Sequence, residues 1–185
     1  MFTDGRSKSI VFVAHCALNQ NSISDGTAVY PGSIKEIMEL LCTSGVGIVQ
    51  MPCPELLCLG LDRGNIEGAG SPVVEENTRI RLMMSRRSAA YKIKQLAHSL
   101  VFQISEYLNH GFDIRGIVGM NRSPSCGVDS TSKNNQEVAG QGVFIEALRS
   151  ELEKKKIHVP IVGIKASEPE KAVRAVRNLL GSTGE

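Results

Sequence analysis

Five cysteines are the residues of this 185-residue chain whose chemistry stands out. Three of them, Cys16, Cys53 and Cys126, each come shortly after an apolar run that predicts a buried β-strand. The carboxyl ends of parallel strands lie at one edge of a sheet, where α/β proteins bind their ligands. If these strands are neighbours, three thiols that lie far apart along the chain converge on one place.

The other two cysteines have a different setting. Cys42 lies near the end of a predicted helix, beside Met38 and Leu41, and we expect it to pack in the core, as free cysteines often do. Cys58 lies in the apolar run 56–59. There a packing role is favoured over that of a fourth ligand, but the sequence does not decide between them.

Three thiolates without a local fourth partner suit some kinds of site and not others. A structural zinc site uses four ligands, usually in local pairs such as C-x2-C, and a thiol-redox site shows C-x-x-C. The chain has neither pattern. The spacing suits an iron–sulfur cluster with one iron left open, or an open zinc site. Unrelated buried thiols are the alternative.

Two carboxylates accompany the cysteines. Glu55 lies two residues after Cys53, and Asp25 lies nine residues after Cys16. Carboxylates in different environments can divide the work of proton donor and acceptor. The Asp25-Gly26 dipeptide is also typical of a turn. Glu55 is the stronger candidate, because a charged residue inside an apolar run needs a partner or a function.

Together these motifs resemble those of the thiouracil desulfidases and their relatives. They occur in the same order, between about Ile10 and Ala147: Cys16 with Asp25-Gly26, then Cys53-Pro54-Glu55 with Gly60 and Arg63, then Ser123-Pro124-Ser125-Cys126-Gly127. The resemblance implies that Cys16, Cys53 and Cys126 hold a 4Fe-4S cluster through three of its irons. It also implies a fourth iron that is open to the sulfur of a thiolated small molecule, such as a thio-nucleobase.

The same resemblance implies catalytic or substrate-positioning roles for Ser123, Glu55 and Asp25. The implied reaction is a non-redox hydrolysis that replaces sulfur with oxygen and releases sulfide. The chain departs from the family pattern at Asn19, where a glycine is typical, and at Ser22, where a second cysteine is common. A cluster- or metal-binding sensor without turnover is the alternative function.

Apolar runs and helical patterns alternate four times along the chain. They predict strands at 9–14, 46–51, 114–120 and 159–164, and helices at 33–44, 75–110, 142–156 and 168–180. This alternation predicts a single three-layer α/β domain over residues 1–185, with a mainly parallel, Rossmann-like sheet and the site at the carboxyl ends of its strands. Segment 75–110 is expected to be a helical insert of one long or two consecutive helices.

Charge and hydropathy limit the partners. A net charge of +2 is too near neutral to suggest nucleic-acid binding by bulk charge. The cluster Arg79, Arg81, Arg86 and Arg87 is expected to be a solvated helix face, with the phosphates of a thiolated tRNA as the alternative. No apolar run approaches the ~20 residues that span a membrane, and the first residues do not form a signal peptide. We therefore expect a cytoplasmic protein; a homodimer is an open question.

Overall fold

A computed structural model describes residues 2–181, so Met1 and residues 182–185 of the predicted domain lie outside it. Its strands are β1 (Ser9–Val13), β2 (Gly47–Gln50), β3 (Asp113–Met120), β4 (Ser130–Lys133), β5 (Gln136–Ala139) and β6 (Ile161–Ile164). Four of them form one sheet in the order β2-β1-β3-β6, and each neighbouring pair is parallel. The predicted α/β class with a mainly parallel sheet is confirmed.

Helices cover both faces of this sheet. They are α1 (His15–Leu18), α2 (Lys35–Thr43), α3 (Pro54–Leu59), α4 (Val73–Met84), α5 (Arg87–Asn109), α6 (Val143–Lys154) and α7 (Pro169–Gly181). The pair α2 and α7 packs together, as does the pair α5 and α6, and both α5 and α7 contact β3. These contacts give three layers. Within residues 2–181, no helix is both long and apolar enough to cross a membrane.

Strand β1 lies in the middle of the core. All five of its residues are buried, and Phe12 is fully so. A strand with partners on both edges and helices on both faces requires such an uninterrupted apolar run. Burying one large apolar side chain contributes roughly 1.5–3 kcal/mol. The run that ends at Ala14 therefore fixes where the chain leaves the sheet.

The strand order produces a crevice at the carboxyl edge. From β1 the chain passes through α2 to β2, and it later returns to β3 on the other side of β1. The connections that follow β1 and β3 thus diverge to opposite faces of the sheet. Ligands of open α/β sheets bind at this kind of switch point. Cys16 follows β1 and Cys126 follows β3.

Segment 75–110 forms two consecutive helices, α4 and α5, one of the two arrangements expected. The short helices α1 and α3 and the β4–β5 hairpin were not predicted. The hairpin turns at Asn134 and Asn135, both with positive φ (54° and 59°), as a two-residue hairpin turn requires. It packs on α4, and the Asn135 N–H donates to Thr78 Oγ1 at 2.9 Å.

The expectation of a solvated basic face is wrong for two of its four arginines. Arg81 Nη1 donates to the carbonyl oxygens of Pro124 (3.2 Å) and Gln141 (3.1 Å), and so holds α4 to the segment around Cys126. Arg79 Nη2 donates to the carbonyl oxygen of Arg63 at 2.8 Å. Arg86 and Arg87 are exposed, as expected.

Gly163 in β6 is required by the segment that follows β3. A Cβ atom at Gly163 would lie 2.0 Å from Asn121 Oδ1. That oxygen accepts the N–H groups of Val128 and Asp129 at 3.2 and 3.0 Å. We expect Gly163→Ala to lower the free energy of unfolding by about 2–3 kcal/mol in urea denaturation, because overpacking displaces the Asn121 side chain and breaks these bonds.

Gly32→Ala is the matched control, since a Cβ atom there would meet nothing within 4 Å. Its unfolding free energy should change by no more than about 0.5 kcal/mol. Equal effects of the two substitutions would contradict the assigned role of Gly163.

Candidate functional site

A cavity of about 130 Å³ lies at the carboxyl edge of the sheet. Its walls include all three cysteines that follow strands, Cys16, Cys53 and Cys126. Two of the predicted catalytic residues, Glu55 and Ser123, line the same cavity. The fold therefore brings together five side chains from three separate segments.

Cys16 lies in α1, directly after the end of β1. The Gln20 side chain donates to the Cys16 carbonyl oxygen at 2.6 Å and so fixes this short helix. The neighbouring His15 has its Nδ1 2.8 Å from Gln50 Nε2, while its Nε2 is buried without a partner. Burial lowers the pKa of His15, and the charge of Arg63 lowers it further.

Cys53 caps the amino end of α3. Pro54 occupies the first helical position, where its missing N–H costs nothing. The Leu56 N–H donates to Cys53 Sγ at 3.5 Å, and Arg63 Nη2 approaches the same sulfur at 3.8 Å. The sulfur of Cys53 thus lies among donors that favour negative charge on it.

Cys126 is held by a tight turn after β3. Ser123 Oγ accepts the N–H groups of Ser125 and Cys126 at 3.2 and 3.0 Å. Gly127 follows, and a Cβ atom there would lie 2.2 Å from the Ser130 carbonyl oxygen. Only glycine allows the backbone to pass so close. The close approach at Gly127 is thus made by the chain's own backbone.

The three thiols influence one another electrostatically. Burial raises the pKa of Cys16 far above its usual value, and the neighbouring Cys53 and Glu55 raise it further. Burial is also the main reason that the pKa of Cys126 is raised, followed by Cys16, Cys53 and Glu55. For Cys53, burial and then Glu55 raise the pKa, against the lowering effect of Arg63. Without a bound cation, these raised pKa values favour the neutral form of all three thiols.

Glu55 is buried, with 8% of its surface exposed, and four side chains donate to its carboxylate. Ser125 and Ser123 donate to Oε1 at 2.7 and 3.3 Å. Arg63 Nε and Ser24 Oγ donate to Oε2 at 3.3 and 3.4 Å. A buried carboxylate is stable only with such partners. They also fix the direction in which it faces the cavity.

Asp25, the other predicted carboxylate, does not join this group. It is exposed, and its Oδ1 accepts the N–H of Gly26 at 2.9 Å, so it forms the turn that its sequence also indicated. The preceding residue, Ser24, lines the cavity instead. The structure thus separates the two carboxylates.

The expectation of a core position for Cys42 is wrong, because this thiol is exposed. Helix α2 buries Ile37 and Leu41, and the next residue lies about 100° further round the helix axis. Cys58 is half buried and packs against the core, with Sγ 3.9 Å from the Ala89 carbonyl oxygen. It does not line the cavity.

Two residues of the site were not assigned a role from the sequence. Ser125 is fully buried and makes the shortest hydrogen bond to Glu55. Arg63 is also buried, at 1% exposure, although its neighbours in sequence are exposed. The signal for Arg63 was its place in a motif shared with the desulfidases. Ser125 likewise belongs to the shared motif around Cys126, but nothing in the sequence indicated its contact with Glu55.

The donor set of the cavity can be compared with the needs of a single metal ion and of a cluster. Among residues 2–181, no three His, Cys, Asp or Glu side chains are close enough to hold one metal ion. A 4Fe-4S cluster binds each cysteine through a different iron, so its ligands lie further apart than those of one ion. Three thiols that line one cavity fit such a group in number and chemistry.

Comparison with known proteins gives a distant relative. The chain is 27% identical over 165 residues to an uncharacterised protein of the archaeon Methanocaldococcus jannaschii, and the match covers 89% of this chain and 91% of that protein. No protein-family model matches the sequence. No solved structure matches it either.

The different settings of the two carboxylates can be tested without any metal. We expect Glu55→Ala to lower the free energy of unfolding by about 3–5 kcal/mol, because it leaves the buried Arg63 cation without its counter-charge. Asp25→Ala should cost at most about 1 kcal/mol, since it removes one hydrogen bond at an exposed turn. Urea denaturation of metal-free protein measures both. A larger loss for Asp25→Ala would contradict this assignment.

Proposed function

We propose that this protein is an iron–sulfur-dependent desulfidase, which removes sulfur from a small thiolated molecule such as a thio-nucleobase. The observation that carries the proposal is the convergence of three cysteines and a buried carboxylate on one cavity. The ligands would be Cys16, Cys53 and Cys126. An open iron requires a reducing environment, so we place the protein in the cytoplasm.

A 4Fe-4S cluster held by three cysteines supplies, when bound, a Lewis-acidic iron that can polarise a C=S group. The overall change is hydrolysis, in which a thiocarbonyl and water give a carbonyl and hydrogen sulfide. One C–S double bond is replaced by a C–O double bond, and both protons of the water leave with the sulfur. No oxidant or reductant is needed.

Glu55 would handle the protons of this reaction. Its carboxylate lines the cavity and can accept a proton from the attacking water, then return it to the departing sulfur. Ser123 would orient the carboxylate, because its hydroxyl donates to Oε1 at 3.3 Å. The same Ser123 oxygen accepts the Cys126 N–H. One side chain therefore aligns both the carboxylate and a ligand.

The walls of the cavity favour a compact substrate. Ile23, Val29, Met120 and Pro124 supply apolar surface around the polar groups. Small-molecule sites combine apolar walls with a few fixed polar groups in this way. Such walls also exclude bulk water from the carboxylate. We therefore expect the substrate to be a small ring or the end of a larger molecule.

Sulfide release tests the proposal. Protein reconstituted anaerobically is incubated with 2- and 4-thiouracil, and free sulfide is measured over time. We expect sustained release by the wild type, and a fall of about 10²–10⁴-fold for Glu55→Gln, which removes the proton acceptor and keeps the shape. Glu170→Gln on α7, an exposed carboxyl that is not part of the cavity lining, is the matched control and should keep the rate.

One result would count against turnover at this site, and another against the role of Glu55. An intact cluster without sulfide release from any thiolated base would favour the sensor. Equal rates for Glu55→Gln and the wild type would remove Glu55 from the mechanism.

The sorting of the cysteines is tested by iron content after reconstitution. We expect about four irons per chain for the wild type and for Cys42→Ala, whose thiol is exposed and not part of the cavity lining. Cys126→Ala should lose the cluster, because two cysteines cannot hold it. Retention of the full iron content in Cys126→Ala would refute this ligand set.

A further inference from the structure

Arg63 is a buried cation at the centre of the site. Its guanidinium has five N–H donors, and five acceptors surround it. Nη1 donates to the carbonyl oxygens of Gly60 and Leu61, both at 2.9 Å. Nε donates to Glu55, and Nη2 donates to the Ser22 carbonyl oxygen (2.5 Å) and approaches Cys53 Sγ (3.8 Å).

The local backbone is built around this side chain. Arg63 has a φ of 55°, in the left-handed region that non-glycine residues seldom occupy. Its own side chain folds back onto the carbonyls of Gly60 and Leu61, and Arg79 binds its carbonyl oxygen. Lysine could not replace it without loss, since an ammonium has three donors and no planar fork.

Two of the five acceptors, on Glu55 and Cys53, belong to side chains with a role in the proposed chemistry. The others are backbone carbonyls, which would suffice for a purely structural arginine. We propose that Arg63 is a positioning residue, whose single guanidinium fixes the Glu55 carboxylate and donates a hydrogen bond to the sulfur of Cys53. The effect of Arg63 on catalysis rests on the proposed function. Its contact with Cys53 rests on geometry alone.

A hydrogen bond and a positive charge at a ligand sulfur raise the reduction potential of a bound cluster. The reduction potential of an iron–sulfur cluster depends on net charge and on hydrogen bonds to its sulfurs. Residues that orient ligands from outside the metal shell contribute in this way. Removal of the guanidinium should therefore make the potential more negative, an effect that a purely structural arginine would not have.

The test compares Arg63→Gln and Arg63→Lys with Arg79→Gln after anaerobic reconstitution. The control removes an arginine that binds the same loop but contacts neither Glu55 nor a cysteine. Iron content, midpoint potential, kcat and KM are measured. We expect Arg63→Gln to have a more negative potential and a kcat about 10²-fold lower, with KM nearly unchanged, because the carboxylate is misplaced. Arg63→Lys should have a midpoint potential close to that of the wild type, but a lower kcat.

Arg79→Gln should keep both the potential and kcat even where its melting temperature falls. If Arg63→Gln holds a cluster with the potential and kcat of Arg79→Gln, Arg63 is structural and the inference is wrong. If the wild type holds a cluster but releases no sulfide, the proposed function fails, and the potential still decides whether Arg63 acts on Cys53.

A measurement on metal-free protein covers the case in which the variants do not hold a cluster. Melting temperatures of Arg63→Gln, Glu55→Gln and the double variant form a cycle. We expect the double variant to lose much less than the sum of the single losses, because either single change leaves the other group buried without its partner. Additive losses would show that Arg63 does not hold Glu55.

Discussion

The parallel pairing of β1 with both β2 and β3 is the constraint on which the site depends. It aligns the carboxyl ends of three strands at one edge, so the residues that follow them meet although they are far apart in sequence. Because β1 is buried on both faces and both edges, its register is strongly determined. A shift of one residue would carry Cys16 away from the other two thiols.

This edge of the sheet contains buried polar groups, which destabilise a fold unless they are hydrogen-bonded. Nearly all of those in residues 2–181 have a partner. Glu55 and Arg63 are both buried, and each is saturated by partners from several segments. Arg63 reaches the Ser22 carbonyl, Glu55 receives Ser123 and Ser125, and together they join the segments that carry the three cysteines. The charged pair therefore shapes the site as much as the thiols do.

Much of the fold could be predicted because its signals are local. The apolar runs located all four strands of the main sheet, and their alternation with helices gave the parallel topology. The helix α3 was missed although Pro54 marks its start. The β4–β5 hairpin was missed because its turn is Asn-Asn, without the glycine that usually signals such a turn.

The site was predictable only in part, for a physical reason. Cysteines after strands could be placed at one edge by topology alone. The buried network could not be foreseen, because contacts such as those of Ser125 and Arg63 with Glu55 depend on how separate loops pack. Cys42 was misplaced since helix periodicity does not resolve adjacent positions at the border of the buried face. Arg81 was misread because a basic run does not reveal partners distant in sequence.

The central claim is that Cys16, Cys53 and Cys126 together hold one cluster with one iron free of protein ligands. Mössbauer spectroscopy of protein reconstituted with iron-57, recorded with and without 4-thiouracil, tests it most directly. Roughly a quarter of the iron signal should change when the thiolated base is added, because only the open iron can bind its sulfur. A 4Fe-4S spectrum that does not respond to any thiolated base, or the absence of a cluster signal after reconstitution, would contradict it.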